Sequence, residues 1–111
     1  MSQRQNSGVS AQKLTILSMD HGIPAPKPPA GTNFDADERR TWRELWKSPQ
    51  AQIWDESYIP AVAAYVLYSH KIYRGEATAW VASEHRALSD SLALSPKGLR
   101  ALSFAIEGMP T

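Results

Sequence analysis

The residues best suited to acid–base chemistry or metal binding near neutral pH are His21, His70 and His85. They lie far apart in the chain. His85 follows Glu84 and can meet His70 only across a helical hairpin, and two histidines without a third ligand rarely define a metal site. Glu84 and Asp90 invite a general acid/base reading. On an exposed helix, however, the run from Glu84 to Arg86 together with Asp90 more often makes a solvated charged face. No serine or lysine has a visible activating partner, and no glycine-rich phosphate loop is present. The sequence therefore points away from an enzyme, with no metal and no cofactor expected.

Composition narrows the class further. One hundred and eleven residues allow one small domain. The absence of cysteine removes any disulfide framework or thiolate zinc site and suits a reducing compartment. No apolar run is long enough to cross a bilayer, and the polar N-terminus lacks a signal-peptide core, so neither a membrane nor an export role is expected. The net charge of +1 argues against an overtly basic nucleic-acid coat. Positive charge leans weakly towards residues 1–31, where Arg4, Lys13 and Lys27 face only Asp20.

The elements that would position these groups are helical. Residues 1–31 are polar and carry a cluster at Pro24, Pro26, Pro28 and Pro29, which predicts a disordered N-terminal arm with a stiff, proline-rich spacer. One apolar patch, Leu14–Leu17, could become a strand or helical turn on a partner. From residue 32 to 111 the chain reads as one all-α domain, a small bundle of about four helices. Asp35 and Glu38 have capping-box spacing and open the first helix, which should end near Lys47 before Ser48-Pro49. Ala36, Trp42, Leu45 and Trp46 share one face of it, and Arg39, Arg40 and Arg43 fall largely on the other. Pro49–Trp54 reads as a short helical turn carrying Ile53 and Trp54 inward.

Asp55 or Ser57 caps the second helix, which tolerates Pro60 only in its first turn. Ile59, Val62, Ala63, Val66 and Tyr73 recur at helical spacing, and Tyr58, Tyr65, Tyr68 and Ile72 form a second stripe beside them. Gly75 stops this helix, and a third runs from Glu76 to Leu92 with Trp80 and Val81 among its apolar anchors. The tight link makes the two a central antiparallel hairpin roughly 24 Å long. At Leu94-Ser95-Pro96 the chain breaks and restarts, with Ser95 as cap and Pro96 in the first turn. The fourth helix is expected from Pro96 to about Glu107, where Gly108 ends it, with Gly98 weakening its first turn. Four tryptophans are many for so modest a core; they either fill it or seal a subunit contact.

Taken in order, Trp42-Arg43-Glu44-Leu45-Trp46, Pro49-Gln50-Ala51 with Trp54, Ala64-Tyr65-Val66, Glu84-His85-Arg86-Ala87-Leu88-Ser89-Asp90, and Leu94-Ser95-Pro96 with Leu99 and Leu102 resemble the small terminase subunits of tailed bacteriophages. The likeness spans about Pro24 to Glu107. One departure is Ala93, where the family commonly has glycine. The resemblance implies a non-enzymatic part of a genome-packaging machine, acting in the cytoplasm of the infected bacterium and not expected in the mature virion. It implies a ring homo-oligomer that binds viral double-stranded DNA and delivers it to a large subunit with ATPase and nuclease activity.

Within that frame, Arg39, Arg40 and Arg43, with Arg4, Lys13 and Lys27 in the arm, are the expected DNA contacts, since repeated copies of a weak basic patch multiply affinity. Arg39 and Arg43 can equally pair with Asp35, Glu38 or Glu44 along the helix. Tyr58, Tyr65, Tyr68, Ile72 and Trp80 on the hairpin are the expected subunit interface, and Phe104 and Ile106 the expected docking site for the large subunit. Two other classes compete. A transcriptional regulator would use the Leu88–Leu102 corner as a helix-turn-helix, with Lys97 and Arg100 as its base-reading candidates. A helical adaptor would bind protein partners and no nucleic acid.

Overall fold

The computed structural model describes residues 14–108. It is a bundle of four α-helices: α1 (Ala36–Lys47), α2 (Ile59–Tyr73), α3 (Ala79–Ser91) and α4 (Pro96–Ala101), with 3₁₀ turns at Pro49–Gln52 and Glu56–Tyr58 between the first two. Two three-residue strands, β1 (Thr15–Leu17) and β2 (Phe104–Ile106), pair in parallel, with Ile16 opposite Ala105.

Local chemistry explains where the helices start. The Asp35 side chain accepts a hydrogen bond from the Glu38 amide while the Glu38 carboxylate accepts one from the Asp35 amide, a complete capping box. Asp55 caps the 3₁₀ turn that runs into α2, and Pro60 sits in the first turn of that helix. The third helix begins later than its apolar pattern suggests. It starts at Ala79 and not at Glu76, with Thr78 as its cap, accepting from the Val81 amide. Ser95 caps α4 by accepting from the Gly98 amide.

Three of the four helix ends follow one device. Gly75, Ala93 and Ser103 all take positive φ just past α2, α3 and α4. After α3, the Leu94 amide bonds the Ser89 carbonyl and the Ala93 amide bonds the Asp90 carbonyl, the double bond of a Schellman motif. Ala93 therefore stands at φ 59°, in the left-handed position for which glycine carries no steric penalty.

Core burial separates the aromatic residues. Phe34, Trp42, Trp46 and Trp54 are buried in one ladder with ring centroids 5.8, 5.6 and 5.1 Å apart, sealed by Val62, Ala63, Val66 and Leu92. The Trp54 indole donates to the Leu92 carbonyl, tying the 3₁₀ region to the end of α3. Three tryptophans thus belong to the core, while Trp80 is 62% exposed. Tyr73, expected on the buried stripe, is 72% exposed at the end of α2, and Ala36 is exposed too.

Two expectations need correction. Residues 14–31 do not stand off from the body. β1 pairs with β2, the Gln52 carboxamide bonds both the amide and the carbonyl of Ser18, His21 reaches the Ser48 carbonyl, and the Trp42 indole donates to the Pro26 carbonyl. The apolar Leu14–Leu17 patch finds its partner inside the chain. The fourth helix is also shorter: Ser103 at φ 61° turns the backbone, and Phe104 and Ile106 lie on a strand, not on a helix.

Candidate nucleic-acid interface

The first helix is anchored by its Trp42 and Trp46 side, so its opposite side faces solvent. Arg39, Arg43 and Lys47 follow one another at four-residue spacing, and Arg40 lies beside them; all four are exposed. Their charges are used differently. Arg39 donates to the Phe34 carbonyl at 2.6 Å, and Arg40 pairs with Asp37 at 2.9 Å across exposed surface. Arg43 and Lys47 form no ion pair among the described residues. Neither Arg39 nor Arg43 takes Asp35, Glu38 or Glu44 as a partner: Glu38 is committed to the capping box, and Asp35 lies 3.9 Å from Arg74 at the end of α2.

The bond from the Trp42 indole to Pro26 holds the proline-rich segment against α1, one residue from the exposed Lys27. That contact is made on the Trp42 side of the helix. Arg4 and Lys13 lie outside the described residues. At the far end of the helix, an open groove lined by Met19, Asp20, His21, Gly22, Ile23 and Lys47 mixes one acid with one amine.

No protein-family model, curated protein or solved structure matches the chain. Its own side chains must carry the reading.

The histidines act as struts between elements. His70 on α2 bonds the Thr41 hydroxyl on α1 at 2.8 Å, and His85 on α3 bonds the Ser69 hydroxyl on α2 at 2.9 Å. They do not meet each other across the hairpin, as the sequence allowed. Ser69 and His85 have the separation of a nucleophile and its base, but Ser69 is 1% exposed, so no substrate reaches it. Burial lowers the His85 pKa below its ordinary 6.5, favouring the neutral ring that stacks on Tyr65 at 4.5 Å. Asp90 turns inward to the α3–α4 corner, accepting from the Ser95 hydroxyl at 2.6 Å with Lys97 3.9 Å away.

The five residues expected at a subunit interface largely bind α2 and α3 to each other or to the core. Tyr58 and Tyr65 pack against the buried cluster, Ile72 is half-buried, and Tyr68 meets Trp80 edge-on at 6.0 Å. Only Trp80 leaves most of its ring outside. Phe104 and Ile106, expected to dock the large subunit, are half-buried on β2 beside β1. Among the described residues no helix is long and apolar enough to cross a membrane.

Proposed function

We propose that this chain is a small terminase subunit of a tailed bacteriophage, a ring-forming protein that binds viral double-stranded DNA and delivers it to the large ATPase/nuclease subunit. The observation that carries the reading is the exposed α1 ridge of Arg39, Arg40, Arg43 and Lys47, three of whose four cations have no acidic partner among the described residues. Phosphate oxygens are suitable acceptors for guanidinium and ammonium donors held this way. One ridge gives few contacts. Copies arranged around an axis give many, and linked contacts raise affinity without any new bond. The exposed Trp80 and its Tyr68 support are the surface we assign to that assembly, and the site of action is the cytoplasm of the infected bacterium.

The corner formed by α3 and α4 supports the regulator reading poorly. The α4 helix has six residues, about 9 Å of length, and its Gly98 is packed against the Asp90 carbonyl. Lys97 at its start leans towards Asp90. A reading helix needs its first turn free for base edges.

The test is binding of the full chain to duplex DNA across a salt series, with the mass of the assembly measured alongside. Affinity should fall steeply with salt, and each cation removed by Arg39→Gln, Arg40→Gln or Arg43→Gln should lower the slope by about one. Salt-independent or absent binding by the assembled protein would overturn the DNA role. A monomer at all concentrations would overturn the ring.

A further inference from the structure

We infer that α1 grips duplex DNA from outside its grooves, along the phosphates of one strand and without reading bases, a mode of contact that rests on the DNA role proposed above. At about 100° per residue, the charges on the exposed side of this helix sort by sign around its circumference. Arg39, Arg43, Lys47 and Arg40 follow one another over about 100°, starting beside the buried Trp46. Glu44 and Asp37 take the next arc of about 60°, on the flank where Thr41 bonds His70 of α2. All six are exposed. One flank of α1 is basic and the other acidic.

Width decides between the ways a helix can meet a duplex. An α-helix with its side chains is about 10–12 Å across and the major groove about 12 Å wide, so an inserted helix has phosphates along both flanks. Glu44 and Asp37 would then stand against one of the two strands. The leading end is no better suited. Recognition helices place their N-terminal residues on base edges, whereas the first turn of α1 carries Asp37 beside an exposed Asp35 cap. The minor groove, about 6 Å wide, does not admit a helix at all.

Laid against a single strand, the same helix meets no such conflict. Arg39 to Lys47 covers about 12 Å, the span of three or four phosphates at about 3.4 Å each along the duplex axis. Arg39 is already oriented by its bond to the Phe34 carbonyl, which takes a guanidinium donor but neutralises no charge. Glu44 and Asp37 are then turned to solvent, where salt screens them from the strand. A contact confined to phosphates fixes position and carries no sequence information.

The test titrates the full chain with two duplexes of the same sequence, one plain and one whose pyrimidines carry bulky C5 groups that fill the major groove. The two affinities should agree within about twofold, because nothing of α1 enters the groove. Arg43→Gln should weaken binding to both duplexes alike and lower the salt slope by about one. Glu44→Gln, an exposed change, should leave affinity and slope as they are. A loss of about tenfold or more on the filled duplex overturns the one-strand contact and leaves the DNA role standing. So does a Glu44→Gln protein that binds about threefold or more tighter, the mark of an acid held against phosphates. Binding to neither duplex removes the DNA role and this contact with it.

Discussion

Gly98 shows at single-residue scale how sequence propensity and packing can pull in opposite directions. Propensity alone makes a helical glycine a defect, worth about 1 kcal/mol to replace with alanine. A Cβ at this position would sit 2.3 Å from the Asp90 carbonyl oxygen, which is backbone and cannot swing away. Gly98→Ala is therefore expected to destabilise the protein by about 2 kcal/mol in a denaturant titration, the reverse of the propensity effect. The same corner holds Ala93 in a left-handed conformation, which the sequence signalled only as a departure from glycine. His85 gives a residue-scale pH effect. Its folded-state pKa lies below the 6.5 of the unfolded chain, so between those values the unfolded state binds more protons. The stability it contributes is complete above 6.5 and declines as pH falls towards its folded pKa. Thermal melts of the parent should show this loss below 6.5, and His85→Gln should flatten that part of the curve. Trp46, by contrast, buries an indole N–H that finds no acceptor among the described residues; nothing in the fold explains it.

At the scale of elements, the starts of the helices were legible because capping is local. Asp35 with Glu38 and Ser95 with Pro96 declare themselves within four residues, and Gly75 declares the end of α2. The strands were not legible for the opposite reason. The apolar run at Leu14–Leu17 is satisfied by Phe104–Ile106, near the other end of the chain, and no local pattern reports such a pairing. Phe104 and Ile106 also fit helical spacing, so only the Ser103 turn separates helix from strand there. The segment's attachment can be measured. Leu17 is 4% exposed, and Leu17→Ala should cost about 2–3 kcal/mol, where a free arm would register no change.

Considered as a whole, the molecule divides its aromatic residues by burial. Three tryptophans form the interior ladder, and Trp80 with Tyr68 lies on the outside of the hairpin. Sequence spacing identified both groups but could not say which was which, because an apolar stripe looks the same towards a core or a neighbour. Trp80→Ala should leave the melting temperature nearly unchanged while lowering the mass of the assembly in light scattering, since an exposed ring contributes little to the monomer. The basic ridge on α1 was likewise legible as a face, but its free members were not. Which cations are occupied depends on Asp37 and the Phe34 carbonyl, contacts fixed only once α1 is capped.

The pairing of β1 with β2, clamped by the Glu107 carboxylate on the Met19 amide 88 positions away, bears on how the protein is made. A ribosome releases Thr15–Leu17 long before Phe104–Ile106 exists, so the leading segment must wait unzipped while the helices assemble. Closure must therefore wait until Phe104–Ile106 has been made, and a chain released at Ser103 would leave its leading strand open to proteases.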